Sequence, residues 1–266
     1  MKLLSERKSP LNRVFVYQLE DGYRVESVFY RGDTLCVSTQ VGCAVGCPFC
    51  LSGKDGLLRN LSSREIYLQY ALLKDALPIR RIAIAGIGEP LMNIRNVVEA
   101  FWMFKKEGLK VSFYTSGHPV RHLPYVLTLP HSGLTVSLHA VRDEVRRRLL
   151  PHAGSLSELL KALRDSLSSV SKKKRKKVSL GYLLLKGVND SEEDLTELAR
   201  LAKSLDVSVT LLYYNNTVSA FEETGQEEYE RAFLLLRSMG VRVTLSTRFR
   251  KDPLGGCGTL VVNRTL

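Results

Sequence analysis

Cysteine is the residue type whose placement in this chain could do chemistry. Three of the five cysteines form the cluster Cys43-Ala-Val-Gly-Cys47-Pro-Phe-Cys50. Cys36 lies seven residues before that cluster, and Cys257 sits near the C-terminus inside Gly-Gly-Cys-Gly. Soft thiolates bind zinc or iron–sulfur clusters. A structural zinc site is closed by four ligands, whereas this loop offers three with no His near it in sequence. Three close thiols suit a metal centre with one open position and leave two cysteines for another task. An odd number of cysteines fits a disulfide framework poorly. The polar N-terminus Met-Lys-Leu-Leu-Ser-Glu-Arg-Lys does not read as a signal peptide. A cytoplasmic location, where thiols stay reduced, is the expectation.

These residues need elements to position them. The first 30 residues read as a hairpin, with strands over 14–19 and 23–30 and a tight turn at Asp21-Gly22. Strands and helices then alternate. Strands are expected at 34–39, 81–85, 110–115, 134–139, 178–185, 207–214 and 241–246. Ser62-Ser-Arg-Glu65 is a capping box that opens a helix, and Ser155-Leu-Ser-Glu158 opens another. Further helices are expected over 94–106, stopping at Gly108, and over 191–205 and 226–239. Strands separated by helices imply βαβ units and a parallel sheet. An open or partial (β/α) barrel follows, with function on the loops after the strands' C-terminal ends.

The chain has 266 residues and is 44% hydrophobic, enough for a full core. No apolar run is long enough to span a bilayer. The net charge of +12 favours nucleic acid or an anionic membrane as partner. The run Lys172-Lys-Lys-Arg-Lys-Lys177 joins a helical pattern to a strand and reads as a solvated loop.

The spacing Cys-x3-Cys-x2-Cys, with Phe49 before the third cysteine, resembles the signature of radical S-adenosylmethionine (SAM) enzymes. In those, three thiolates hold a [4Fe–4S] cluster whose fourth iron stays open. Beside such a centre, Gly86-Ile-Gly-Glu-Pro90 offers a carboxylate for the SAM ammonium and glycines for close backbone approach. The likeness extends further. Leu35-Cys-Val-Ser-Thr-Gln-Val-Gly-Cys43, Arg59-Asn-Leu61, Gly86-Ile-Gly-Glu-Pro-Leu-Met-Asn93, Ser137-Leu-His-Ala140, Gly187-Val-Asn-Asp190 and Cys257-Gly258 occur in the order found in the RlmN/Cfr family. That family methylates C2 or C8 of adenine in ribosomal RNA, and in some cases transfer RNA.

The resemblance implies an α/β fold, a partial (β/α)6 radical SAM barrel over 32–266 with the N-terminal β-hairpin extension over 1–31. It implies that Cys43, Cys47 and Cys50 hold the cluster. Gly88, Glu89, Ser137, Leu138, His139 and Asn215 would contact SAM. Cys257 would carry the methyl group, Cys36 would resolve the covalent intermediate, and Glu26 would accept the ring proton. The implied partners are an RNA substrate and an external electron donor such as flavodoxin or ferredoxin, with no membrane, for a monomeric enzyme. Competing readings move the same chemistry to a protein or small-molecule substrate, or leave a non-catalytic iron–sulfur or zinc RNA-binding protein.

Several features depart from the family. Its N-terminal accessory domain has no counterpart before the hairpin. Tyr114 stands where a small hydroxyl residue is usual. Asn216-Thr-Val-Ser-Ala220 replaces a proline-containing loop, and Arg250-Lys-Asp-Pro-Leu-Gly-Gly replaces an acidic stretch. The basic groups 172–177, 146–148 and 248–251 could supply phosphate contacts. Tyr213-Tyr214 could stack a splayed base or pack at a strand end.

Overall fold

The computed structural model describes residues 1–217, 220–246 and 251–264. Strands β1 (Lys2–Lys8), β2 (Asn12–Gln18) and β3 (Arg24–Tyr30) form an antiparallel unit, and β3 runs antiparallel to β4 (Thr34–Val37). A separate pair, β5 (Gln40–Gly42) and β6 (Leu57–Asn60), closes the ends of the cysteine loop. The main sheet then continues in chain order. It runs through β7 (Arg81–Ile84), β8 (Lys110–Thr115), β9 (Gly133–Ser137), β10 (Val178–Leu183), β11 (Ser208–Leu212) and β12 (Val243–Leu245). Every pairing within this main sheet from β4 through β7 to β12 is parallel. Each strand lies beside its predecessor, the singly wound order of a partial barrel.

Local chemistry explains the helices. In α1 (Ser63–Ala71) the Ser62 hydroxyl accepts from Glu65 N while the Glu65 carboxylate accepts from Ser62 N, the capping box expected. Helix α2 (Ile94–Lys106) buries Val97, Ala100, Phe101 and Phe104, one apolar stripe at helical spacing. Helices α3 (Leu123–Thr128), α4 (Asp143–Leu149), α5 (Leu156–Ser168) and α6 (Lys172–Arg175) follow. Helices α7 (Glu192–Leu205) and α8 (Gln226–Ser238) complete the crossovers. Every residue of β10 is buried, as expected of a strand covered on both faces.

Two expectations are corrected. The N-terminal unit has a third strand, β1, beyond the expected hairpin. Its sequence Lys-Leu-Leu-Ser-Glu-Arg-Lys is polar because it is an edge strand, and charges there discourage further pairing. The lysine run is not a plain loop: Ser171 caps the short helix α6, its hydroxyl accepting from Lys174 N. That helix immediately precedes β10, at the end of the sheet away from the cysteine loop.

Candidate active site

The cysteine loop is pinned at both ends. Cys43 N donates to Gly56 O at 2.9 Å. Gly42, at φ +80°, lies so close that a Cβ there would be 2.0 Å from Gly56 O. The loop rests on the segment after α4, where His152 N donates to Val45 O at 3.3 Å. Burial and the charges of Cys50 and Cys43 push the Cys47 thiol up, and burial pushes Cys43 up to about 12. Cys50 is also raised, chiefly by burial and in part by Cys257 nearby. Three anionic sulfurs are therefore stable here only when cationic charge joins them. That requirement, with three soft donors, fits a [4Fe–4S] cluster. Among the described residues no three or more His, Cys, Asp or Glu side chains are grouped so as to hold a single metal ion.

Cys257 reaches the same place from the other end of the chain. Leu51 N donates to Gly258 O at 2.8 Å, and the Ser52 hydroxyl donates to Leu260 O at 2.7 Å. Asn215 Nδ2 donates to Cys257 O at 2.9 Å. The antiparallel strands supply the wall behind this tail. Asn12 Nδ2 donates to Leu254 O, the Ser9 hydroxyl donates to Asp252, and Arg24 N donates to Asn263 Oδ1. Gly255, at φ +81°, packs where a Cβ would meet Val14 and Val28 at 2.9 Å. A cavity of about 90 Å³ between wall and tail is lined by Cys36, Cys50, Ala85, Gly256 and Cys257 among others.

A second cavity, of about 150 Å³, shares Cys50, Ala85, Cys257 and Gly258 with the first and opens along the strand ends. Tyr114, Ser137, His139 and Tyr214 line it. Leu138, between two lining residues, turns its side chain into the core because strand-end side chains alternate. His139 is pushed down to about 3, first by burial and then by the charge of Arg146. Its Nδ1 accepts from Leu183 N at 3.1 Å, so the neutral ring carries its proton on Nε2. Glu89 is buried, and its carboxylate accepts from Ser116 N at 2.7 Å, Leu91 N at 3.0 Å and the Thr115 hydroxyl. Burial raises its pKa, so a cation placed beside it gains from the pairing. Gly88 packs against the Gln40 side chain, whose Oε1 accepts from Glu89 N at 2.7 Å.

Not every expected residue faces these cavities. Glu26 lies behind the tail: its carboxylate accepts from Val261 N at 2.9 Å and from the Arg264 guanidinium. Asn215 holds the Cys257 backbone. Arg146, expected among surface phosphate contacts, is 1% exposed, which excludes that role. Lys174 of the lysine run donates to Thr128 O and Leu129 O, below the strands. Arg248 and Arg250, and Val218 and Ser219 of the replacement loop, lie outside the described residues. Tyr213 stacks on Tyr229 with centroids 4.0 Å apart, which is packing, whereas Tyr214 reaches the cavity. Sequence reasoning missed Gln40 and Asn93. Asn93 Nδ2 donates to both Thr39 O and Leu61 O, tying the two strands' ends together.

Residues 37–199 match the radical SAM superfamily. The chain is 37% identical over 270 residues to "Probable dual-specificity RNA methyltransferase RlmN" of Chlorobium luteolum, covering 93% of this chain and 73% of that protein. It is 36% identical over 255 residues to a "Probable RNA methyltransferase" of Ectopseudomonas mendocina, covering 91% and 71%. A radical SAM methyltransferase structure from Sphaerobacter thermophilus superposes with a TM-score of 0.87 at 30% identity, covering 97% of this chain and 80% of that one. No helix of the described residues is long and apolar enough to cross a membrane. With its cysteine loop, strand-end cavity and these relatives, the chain belongs to the radical SAM superfamily, within the RlmN-like RNA methyltransferases.

Proposed function

We propose that this enzyme methylates a ring carbon of adenine, C2 or C8, in ribosomal or transfer RNA, with Cys257 as the methyl carrier. The observation that supports the reading is the common cavity lined by Cys36, Cys50 and Cys257. RNA as substrate is supported by the names of the relatives and by the net charge of +12. Bound in the loop, a [4Fe–4S] cluster with SAM supplies the one-electron chemistry that converts a methyl group into a carbon radical. Cys43, Cys47 and Cys50 hold it, and Gly88, Glu89, Ser137 and His139 form the surrounding SAM site, with Leu138 packing beneath it and Asn215 seating the Cys257 backbone beside it. An external donor of the flavodoxin or ferredoxin type delivers the electron to a monomeric enzyme.

The chain's own residues carry the remaining steps. The Cys257 thiolate displaces a methyl group from SAM, its S–C bond forming as the sulfonium S–C bond breaks. Once the methyl carbon is joined to adenine, the odd-electron adduct loses one electron, returned to the oxidised cluster, and one ring proton, which Glu26 accepts on exchanging its tie to Arg264 for that role. The Cys36 thiolate then attacks the Cys257 sulfur. The S–S bond forms, the S–C bond breaks, a proton completes the new methyl group, and a dithiol reductant restores both thiols. The test is a pair of variants assayed anaerobically with RNA and SAM. Cys36→Ala is expected to accumulate a covalent protein–RNA adduct, and Cys257→Ala to give neither adduct nor methylated RNA. Methylation by Cys257→Ala would refute the mechanism.

A further inference from the structure

Arg146 is a buried cation without an anion committed to it. Its side chain is 1% exposed. Nη2 donates to Ser116 O at 2.9 Å and Nη1 to Gly154 O at 3.3 Å, both neutral carbonyls. Nε is buried with no partner. The carboxylates in its neighbourhood are engaged elsewhere. Asp143 pairs with Arg147 and accepts from Leu156 N, while Glu89 accepts from Thr115, Ser116 and Leu91. Burying an unpaired charge is costly and is tolerated only where something compensates it. Asp143 is the carboxylate whose charge acts on Arg146 most, ahead of Cys47 and Glu89. Helix α4 packs against the cysteine loop, with Val145, Leu149 and Leu150 in one apolar cluster with Val45, Cys43 and Cys47. The two Arg146 bonds thus join Ser116, at the β8 strand end beside Glu89, to the segment of Gly154 that supports Val45 of the cysteine loop, with one N–H unspent.

We propose that Arg146 is the buried countercharge of the iron–sulfur centre, a positioning residue that raises the cluster's reduction potential. This rests on the cluster reading above. A cube held by three thiolates carries net negative charge, which grows on reduction. A fixed cation close by favours the reduced state, as net charge and outer hydrogen bonds do for such clusters generally. The same cation is a cost to the metal-free chain, so the effect of removing it should change sign with loading.

The experiment compares wild type, Arg146→Met and Arg146→Lys after anaerobic reconstitution. Iron and sulfide are quantified, the cluster is titrated with EPR detection, and thermal unfolding is followed with and without the cluster. In Arg146→Met the reduced-to-oxidised ratio at fixed potential should fall roughly tenfold, one decade for a one-electron couple. Arg146→Lys, which keeps the charge, should stay within about threefold of wild type. Metal-free Arg146→Met should unfold at or above the wild-type temperature, and the loaded variant below it. Poor loading of a folded Arg146→Met, restored in Arg146→Lys, also supports the assignment. An unchanged ratio in loaded Arg146→Met overturns it. So does a metal-free Arg146→Met that is unfolded or markedly destabilised, which would make Arg146 a structural tie for the Ser116 and Gly154 carbonyls. If wild type takes up no iron and sulfide, the cluster reading itself fails and this assignment with it.

Discussion

Gly42→Ala tests whether the cysteine loop is held closed by the β5–β6 pair. A Cβ at position 42 would lie 2.0 Å from the Gly56 carbonyl oxygen, at a backbone φ of +80°. The hairpin must open to admit it, which sacrifices the 2.9 Å bond from Cys43 N to Gly56 O. Left-handed backbone costs an alanine about 1–2 kcal/mol, and the lost hydrogen bond about 0.5–1.5 kcal/mol. Together they shift loop closure by roughly 10- to 300-fold. Gly56→Ala is the matched control. It also has positive φ, at +71°, but nothing lies within 4 Å of its Cβ position. That variant bears only the backbone strain, so the two should differ by roughly 2- to 13-fold, the hydrogen-bond share. The assay is anaerobic iron release from the reconstituted protein to a chelator, which proceeds through the open loop. Release should be fastest in Gly42→Ala, intermediate in Gly56→Ala and slowest in wild type. If Gly42→Ala releases iron no faster than Gly56→Ala, the contact with Gly56 does not control the loop.

Two further predictions concern the surroundings. Asn215→Ala removes the donor to Cys257 O, at a cost of about 1 kcal/mol to the seated loop. RNA methylation should fall roughly fivefold with SAM affinity unchanged, whereas a matching loss of SAM binding in equilibrium dialysis would make Asn215 a cofactor residue instead. His131 and His139 are held neutral by burial, near 4 and 3 respectively, below the ordinary 6.5. The unfolded chain therefore binds more protons below pH 6.5, and folding stability should drop as pH falls from 6.5 toward 4. Each group contributes about 2 kcal/mol of loss between pH 6.5 and 5. Urea midpoints measured across that range should decline, and His131→Phe should shallow the slope; a flat profile refutes the assignment.

Much of the fold was legible because it rests on local signals. The capping box at Ser62, the N-cap hydroxyl of Ser155, the apolar stripe of α2 and the short apolar runs of the main-sheet strands each specify their element within a few residues. Strand β1 was not legible, since a polar edge strand carries no periodic apolar face. Neither was the β5–β6 pair, because Gln40 and Asn93 are polar residues buried by partners remote in sequence. The three-cysteine spacing marked the metal loop without any structure, because ligand spacing in a tight loop is itself local chemistry. The meeting of Cys36, Cys50 and Cys257 was decided only by tertiary structure. Cys36 sits on a barrel strand, while Cys257 reaches it because Gly255 and Asn263 seat the tail on the N-terminal strands. The same holds for Arg146. In sequence it is one arginine of a run of three, and only the packing of α4 under the cysteine loop takes its charge out of water.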